Sequence, residues 1–385
     1  MFPSPPFSSP LLTSASSSPP YPDCLFKDDY RACRGQFLDS AANAPKLLFQ
    51  RAEPCPVSGP DGSELFTDIV WLGSDGASKV LVLISATHGV EGFAGSAVQA
   101  DFLNEVKRTG WQPPVGTAVL VIHALNPWGM AWLRRCDQDG IDLNRNFIDF
   151  DQPLPANPGY LALREVLMQA DSSERSQQLQ QYAQQHGQSA QEIAISGGQY
   201  SDPSGPFFGG TGKAHSRLLI EKLINEFTLG EKQLAVIDLH TGLGPYGYGE
   251  IICDHAPDSA GTQTAQHWYG DAVTLPLAGT SSSVPKLGLM DYAWHQIMGD
   301  DSCFVTLEYG SYGTKLLFDC ILADHRLHAT NAIEAIAETA QYRAVKQQLQ
   351  RHFCPPDQQW QQMVIWRARQ VIQLALTGLQ QGSQR

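Results

Sequence analysis

The chain has 385 residues, of which 42% are hydrophobic and 17% are charged. This composition excludes a disordered or fibrous protein, because it supplies enough apolar surface for a sizeable core. The 39 acidic and 26 basic residues give a net charge of −13. Such an acidic chain is not expected to bind nucleic acid or an anionic membrane surface, since both favour a basic protein.

The first 22 residues are rich in proline and serine and are predicted to form a disordered leader. They contain no lysine or arginine and lack the apolar run of a secretory signal. No segment of the chain approaches the ~18–20 apolar residues of a membrane helix. Eight scattered cysteines without a CxxC pair predict reduced thiols and a cytoplasmic protein.

Strands and helices are predicted to alternate along the middle of the chain. The strands are expected at residues 65–72, 79–85, 117–123, 234–240 and 303–308, and the helices at 28–42, 94–108, 159–188, 213–228, 259–270 and 289–298. The last four strand segments are almost wholly aliphatic, which is typical of strands buried on both faces. The alternation predicts one α/β sheet with helices on both faces.

The C-terminal part has a different character, with two long glutamine-rich segments predicted to be packing helices at 325–352 and 357–380. The predicted organisation is a leader at 1–22, one α/β domain at 23–353 and a helical extension at 354–385.

Polar residues follow the predicted buried strands. His88 and Glu91 come after strand 79–85, and His240 ends strand 234–240. Ligands of open α/β sheets bind beyond the carboxyl ends of the strands, so these side chains are expected to meet. Two histidines and a glutamate with a fourth position open form a catalytic zinc site, whose bound water has a lowered pKa. The HxxE spacing alone is a weak motif and also fits a chance surface pair.

Glu308 ends another apolar strand, where a carboxylate is costly unless it has a partner or a function. The functional interpretation is a general base that deprotonates the zinc-activated water and passes the proton to the leaving nitrogen. The alternative is a salt-bridged residue at the edge of the sheet. Asp142 and Asp238 are candidates for hydrogen-bond partners of the zinc histidines, or for caps of buried turns.

A third group of polar residues comprises Arg134, Arg135, Asn144 and Arg145. A guanidinium binds a carboxylate through two parallel hydrogen bonds, and an arginine near zinc stabilises an oxyanion. The alternative is that some of these arginines lie on the surface. The glycine-rich segment 205–213 lacks the spacing of a phosphate-binding loop and is interpreted as a loop beside the active site.

Six short motifs, taken together and in this order, resemble the M14 zinc carboxypeptidase superfamily. The similarity is to its DUF2817 branch, which is related to succinylglutamate desuccinylase and aspartoacylase. The motifs are HGVEG at 88–92, NPWG at 126–129, RR at 134–135, DLNRNF at 142–147, DLHTGLG at 238–244 and LEYGS at 307–311. The resemblance implies a mixed, mostly parallel sheet flanked by helices, with 23–353 as the catalytic domain and extra C-terminal helices beyond it.

The resemblance also implies a role for individual residues. One zinc ion per chain would be held by His88, Glu91 and His240, and Glu308 matches the catalytic glutamate of the family. Asn144 and Arg145 match the pair that binds the terminal carboxylate of the substrate. The arginine that stabilises the oxyanion matches Arg134 or Arg135, and the sequence leaves this choice open.

Two features depart from the digestive carboxypeptidases. His240 is followed by Thr241-Gly242 where those enzymes have Ser-Tyr. Their mobile tyrosine over the substrate has three possible counterparts, Tyr292, Tyr309 and Tyr312, of which Tyr309 and Tyr312 are predicted to bind substrate.

The expected function is a zinc-dependent, carboxypeptidase-like hydrolase that cleaves an amide bond next to a free carboxylate. The expected partner is a peptide substrate or an N-acyl amino acid, and the oligomeric state is left open. One alternative is a deacylase of small N-acyl amino acids. The other is a metal-free binding module that has kept the fold and lost turnover.

Overall fold

The computed structural model describes residues 25–329 and 339–381. The predicted leader at 1–22 lies outside these described residues, as does the 330–338 part of the helix predicted at 325–352.

A single mixed sheet organises the described part of the chain. Its strands are β1 (Leu47–Pro54), β2 (Phe66–Gly73), β3 (Lys79–Ser85), β4 (Thr117–His123), β5 (Gln233–Gly242), β6 (Gly249–Ile252), β7 (Val273–Thr274) and β8 (Cys303–Gly310). Their order is β1-β2-β4-β3-β5-β8-β6-β7. The central strands β4, β3, β5 and β8 are parallel, as are β6 and β7, while β1 with β2, β2 with β4 and β6 with β8 are antiparallel. The predicted mixed, mostly parallel sheet is therefore confirmed.

Helices occupy most of the connections between strands. They are α1 (Tyr30–Ala41), α2 (Gly92–Thr109), α3 (Pro127–Ala131), α4 (Pro158–Met168), α5 (Ser172–His186), α6 (Gln188–Ser196), α7 (His215–Glu226), α8 (Ala260–Tyr269), α9 (Asp291–His295), α10 (Thr314–Ala329), α11 (Ala340–Phe353) and α12 (Gln358–Gln381). The single helix predicted at 159–188 is divided into α4 and α5. The division occurs where the Asp171 carboxylate accepts the N–H groups of Ser173 and Glu174 and starts a new helix.

Both faces of the sheet are covered by helices. Leu81 and Leu83 of β3 face the layer of α1, α2 and α12, whereas Val80 and Val82 face α7 and α9. The central strands are apolar along most of their length because successive side chains enter two different cores. No described helix has the length and apolarity needed to cross a membrane.

Candidate metal centre

The HGVEG motif forms a tight turn between β3 and α2. His88 follows the end of β3, and Gly89–Glu91 form one turn of 3-10 helix that leads into α2. A Cβ added at Gly89 would lie 2.1 Å from the carbonyl carbon of Gly129, so only glycine permits this close approach. The packing of this turn against the start of the next connection fixes the direction of the His88 and Glu91 side chains.

His88, Glu91 and His240 converge beyond the carboxyl ends of β3 and β5. The two Nδ1 atoms of the histidines lie 3.2 Å apart. His88 Nδ1 is 3.1 Å from Glu91 Oε1, and His240 Nδ1 is 3.3 Å from Glu91 Oε2. The three side chains are at most 4% exposed. This is a buried cluster of three potential metal ligands built from two separate segments of the chain.

Each histidine has a carboxylate at its other ring nitrogen. His88 Nε2 lies 3.0 Å from Asp142 Oδ1, and His240 Nε2 lies 2.5 Å from Asp238 Oδ2. The hydroxyl of Thr87 donates to Asp238 and holds that carboxylate in place. When Nε2–H donates to a carboxylate, the lone pair of Nδ1 is left toward the cluster, which is the usual orientation of metal-binding histidines.

The geometry of the cluster fits a zinc ion. Zinc bonds to nitrogen and oxygen of about 2.0–2.1 Å place tetrahedral ligands about 3.3 Å apart. The separations of 3.1 to 3.3 Å are close to this value, with Oε1 of Glu91 nearest to His88 and Oε2 nearest to His240. All candidate ligand atoms lie within 4.8 Å of one another. Two imidazoles and one carboxylate are also the donor set of several catalytic zinc sites.

Arg135 lies against the same cluster. Its guanidinium donates to Glu91 Oε1 and, over 3.1 Å, to Asp142 Oδ2, while Nη2 lies 2.9 Å from His88 Nε2. Burial by itself would raise the pKa of Glu91, but the charges of His88 and Arg135 hold that pKa well below its ordinary value. Glu91 is therefore held as the carboxylate, the form that binds a metal ion.

Arg134 points away from the cluster. Its Nε donates to Asp324 Oδ2 over 2.8 Å, and the ammonium of Lys346 donates to the other oxygen of this carboxylate. All three side chains are buried and join α10 and α11 to the segment before Asp142. Arg134 thus belongs to a structural ion cluster, and the predicted catalytic role does not fit its position. Of the two arginines, only Arg135 faces the candidate metal ligands.

Glu308 lies beside the candidate metal ligands, on the strand next to β5. It is paired in register with His240, and its Oε1 accepts the backbone N–H of Leu243 over 2.9 Å. Burial, reinforced by the negative charge of Glu91, raises the pKa of Glu308 to about 7. A carboxyl group with such a pKa exchanges protons near neutral pH, as a general base requires.

A pocket of about 860 Å³, measured together with the space at its mouth, opens from the metal-ligand cluster. Asn144 and Arg145 line this pocket. Arg145 is fully buried and donates to the carbonyl oxygens of Ser196 and Asn144. No salt bridge joins it to a carboxylate in 25–329 or 339–381. It is a buried cation whose nearest partners are neutral, which suits an anionic ligand.

The two tyrosines predicted to bind substrate lie elsewhere. Tyr309 follows Glu308 on β8, and adjacent residues of a strand point to opposite faces. Its ring is therefore buried in the core on the α2 and α12 side. Tyr312 is 47% exposed and contacts Tyr246 and His352 outside the pocket. Neither side chain lies in the pocket, and their substrate-binding role stays a prediction that the structure does not support.

Several residues of the pocket were not singled out from the sequence. Phe207 lies in the predicted active-site loop, and its ring is about equally distant from the guanidinium carbons of Arg135 and Arg145, at 5.5 and 5.7 Å. Asp254, Lys286 and Asp291 line the pocket from loops and from the start of α9. No motif marks these residues, because they meet only after the connections fold over the sheet.

The fold and the site together define a mixed α/β protein with a candidate metal centre at the carboxyl ends of its parallel strands. A model of the family described as "Protein of unknown function (DUF2817)" matches residues 26–367. The chain belongs to the DUF2817 family, which confirms the branch expected from the motifs. No curated protein matches the sequence.

Similar solved structures include three proteins of low sequence identity. The succinylglutamate desuccinylase of Chromobacterium violaceum has 15% identity, covering 83% of this chain and 74% of its own, with a TM-score of 0.37. Bovine thrombin-activatable fibrinolysis inhibitor has 12% identity, with coverages of 85% and 97% and a TM-score of 0.42. An aspartoacylase family protein of Mesorhizobium loti has 14% identity, with coverages of 75% and 71% and a TM-score of 0.36.

Proposed function

We propose that this protein is a zinc-dependent hydrolase that cleaves an amide bond next to a free carboxylate, in the manner of a carboxypeptidase. The observation that carries the proposal is the convergence of His88, Glu91 and His240 at separations that fit a tetrahedral ion. Three protein ligands leave a fourth position open, which is typical of catalytic rather than structural zinc. The resemblance of the motifs to the M14 superfamily supports the same chemistry.

The residues around the cluster have separate roles in the proposed reaction. When bound, zinc supplies a Lewis acid that polarises a carbonyl group and lowers the pKa of a water molecule. Glu308 takes a proton from the attacking water as the new carbon–oxygen bond forms. It passes this proton to the leaving nitrogen as the carbon–nitrogen bond breaks. Arg135 donates hydrogen bonds to the developing oxyanion.

Asn144 and Arg145 hold the free carboxylate of the substrate in this proposal. The carbonyl oxygen of the Asn144 side chain accepts the N–H of Met290 over 2.7 Å, which fixes the side chain beside Arg145. A guanidinium binds a carboxylate through two parallel hydrogen bonds and therefore fixes the direction of the substrate as well as its position.

A second candidate function is the deacylation of small N-acyl amino acids. One wall of the pocket is apolar and is formed by α10 and α11, with Leu317, Phe318, Ile321 and Phe353. A compact apolar wall suits a small acyl group, whereas a long peptide needs an open groove. Both candidates share the free carboxylate and the metal ligands, and they differ in the group on the other side of the scissile bond.

The proposal is tested with the zinc-loaded protein on matched substrates. Peptides and N-acyl amino acids with a free carboxylate are compared with the same compounds carrying a carboxamide. Losing one partner of a buried charge pair costs about 2–5 kcal/mol. We therefore expect kcat/KM to be at least about 25-fold lower for the carboxamide than for the same compound with a free carboxylate. Equal rates for free and blocked compounds would contradict the proposal, and relative rates on the two free series separate peptidase from deacylase.

The carboxylate anchor is checked by the Arg145→Ala variant. We expect this variant to raise KM for substrates with a free carboxylate, while the slow rate on blocked substrates stays unchanged. The Arg351→Ala variant removes an exposed arginine and serves as the control. An unchanged KM in Arg145→Ala would place the anchor elsewhere in the pocket.

Arg134 and Arg135 are adjacent in sequence, but their alanine variants are expected to lose different properties, stability in the first case and turnover in the second. Removing one donor to an oxyanion typically lowers kcat by about 10²–10³, so Arg135→Ala should lose turnover. Arg134→Ala leaves Asp324 short of a buried partner and should lower the free energy of unfolding by about 3–5 kcal/mol with normal kcat in the folded protein. Urea unfolding and kcat are measured on both variants. An equal loss of kcat in the two would refute the assignment of the oxyanion role to Arg135.

A further inference from the structure

Phe207 lines the pocket with a backbone conformation that its side chain disfavours. Its φ is +57°, and among the described residues it is the only aromatic one with a positive φ. In this left-handed region the Cβ of an L-residue crowds the following carbonyl oxygen, so a bulky residue is rare there. Such conformations persist only where the surrounding structure fixes the backbone, and they cluster at functional sites. The conformation therefore points to a function for the ring that it places in the pocket.

Hydrogen bonds on both sides of Phe207 fix this conformation. The side-chain amide of Gln199 donates to the carbonyl oxygen of Pro206 over 3.3 Å. The backbone N–H of Gln199 donates to the carbonyl oxygen of Phe207 over 3.1 Å, and the N–H of Asp142 donates to that of Phe208 over 2.8 Å. Three successive carbonyl groups are thus held from outside the turn, which prevents the chain from relaxing to a negative φ.

The ring of Phe207 lies against both arginines to which the proposed function assigns a role. The guanidinium carbons of Arg135 and Arg145 lie 5.5 and 5.7 Å from its centroid, within the ~6 Å of a cation–π interaction. Arg145 is fully buried and Phe207 is 4% exposed. Cation–π attraction is stronger where water is excluded, so both contacts are of the more stabilising kind.

The two guanidinium groups also repel each other inside the pocket. Burial and the positive charge of Arg135 lower the pKa of Arg145, although Asp142 acts in the opposite direction. The face of an aromatic ring is negative and attracts a cation. A single ring in contact with both guanidinium groups therefore offsets part of their repulsion and opposes the rotation of either group away from the other.

The ring is held from a third direction by the apolar wall of the pocket. Its centroid lies 6.2 Å from that of Phe318 on α10, and the two planes are inclined at 85°. This edge-to-face arrangement is one of the favoured geometries of aromatic pairs. The position of the Phe207 ring is therefore set by its own backbone and by α10, and does not depend only on the arginines that it contacts.

We propose that Phe207 is a positioning residue whose ring holds Arg135 toward the developing oxyanion and Arg145 toward the free carboxylate of the substrate. The inference rests on the proposed function, which gives these roles to the two arginines. Phe207 itself does not touch the reacting atoms. Because its ring contacts both arginines, its loss combines the two effects expected for them separately, a lower kcat and a higher KM.

The inference is tested by comparing Phe207→Leu with Phe207→Tyr, since leucine is apolar but has no ring face and tyrosine keeps one. The loss of buried cation–π contacts is expected to lower kcat/KM for substrates with a free carboxylate by about 5–30-fold in Phe207→Leu. The change should appear in both kcat and KM, while zinc content stays the same. Phe207→Tyr should restore most of the loss. An equal loss in both variants would show that packing alone matters and would overturn the inference.

The matched control is Phe208→Leu, the same change at the next residue of the loop. Phe208 is buried to the same degree, but it packs in the core formed with α7 and α9. Phe208→Leu should lower the midpoint of urea unfolding and leave kcat and KM of the folded protein unchanged. Wild-type kcat and KM in Phe207→Leu would overturn the inference.

A second variant, Phe207→Gly, keeps the inference testable if Phe207→Leu does not fold. Glycine adopts a positive φ without strain, so this variant removes the ring and relaxes the backbone. It should show the same combined change in kcat and KM, and wild-type kinetics would overturn the inference. In an Arg145→Ala background, Phe207→Leu should lower kcat without a further increase in KM, because the group that it orients at that end is absent. A further increase in KM would contradict the proposed action through Arg145.

A binding measurement distinguishes failure of this inference from failure of the proposed function. N-acetyl-L-alanine and its carboxamide are titrated calorimetrically into the zinc-loaded Glu308→Gln protein, with and without Phe207→Leu. Phe207→Leu should weaken binding of the free acid and leave binding of the carboxamide unchanged. Equal binding with and without Phe207→Leu, in a protein whose wild type is an active hydrolase, would refute only the positioning role. Selective weakening for the free acid, in a protein that hydrolyses no substrate, would support the positioning of Arg145 and refute the hydrolase function.

Discussion

Replacing Glu308 with glutamine is expected to remove most of the proposed hydrolysis while zinc binding at the candidate metal centre is retained. Glutamine has the same shape and still accepts the N–H of Leu243, but it cannot take a proton from the attacking water. Positioned general acid–base groups contribute about 10²–10⁴ to the rate, so kcat should fall by that factor. The three candidate ligands are untouched, so zinc content should stay at one equivalent. Steady-state kinetics and elemental analysis on the same preparation check both parts.

The control for this variant is Glu231→Gln, the same chemical change at an exposed position. It should leave kcat and zinc content unchanged. Near-full turnover in Glu308→Gln would show that another group moves the proton. Loss of zinc in Glu308→Gln would instead indicate that this carboxylate belongs to the metal site.

The centre of the fold was predictable from the sequence because its strands are buried on both faces. Strands β3, β4, β5 and β8 are mostly apolar segments, and their predicted positions agree with the structure to within a few residues. Strand β1 was missed because it lies at the edge, alternates between half-buried and exposed residues and ends in proline. Strands β6 and β7 are only 4 and 2 residues long, too short for a periodic pattern.

The candidate metal ligands were predictable for a related reason. A polar residue directly after a buried strand lies at the edge where parallel strands end, so the strand positions predict that His88 and His240 approach each other. Their roles in binding and catalysis stay predictions. The choice between Arg134 and Arg135 was not predictable, because it depends on Asp324, far away in sequence.

The positions of Tyr309 and Tyr312 outside the pocket have a local and a tertiary cause. The alternation of side chains along a strand already implies that Tyr309 and Glu308 face opposite sides, and the motif-based prediction overlooked this. Tyr312 lies after β8 in a segment whose course is set by contacts with Tyr246 and His352. The position of Asp291 in the wall of the pocket is likewise set by the way the connection before α9 folds over the sheet.

Removing one candidate metal ligand is expected to have the largest effect of all. His240→Ala leaves two candidate ligands, and Asp238 keeps only its hydrogen bond from Thr87, so the protein should lose stoichiometric zinc and turnover should fall to background. Asp238→Asn keeps the ligand and weakens only its support, so zinc affinity should fall by about 10–100-fold. Zinc content after dialysis and competition with a chelator measure both effects.

The control is His267→Ala, an exposed histidine on α8 that should leave zinc binding unchanged. The three proteins separate the possible origins of a loss. If His240→Ala keeps one equivalent of zinc at wild-type affinity, the ion lies elsewhere and the proposed chemistry fails. If the wild type itself takes up less than about half an equivalent after metal-replete purification, the metal-free binding module is favoured. A full loss of zinc in His240→Ala, with a smaller weakening in Asp238→Asn, is expected for an ion held at Nδ1 of His240, because Asp238 supports the other ring nitrogen of this histidine.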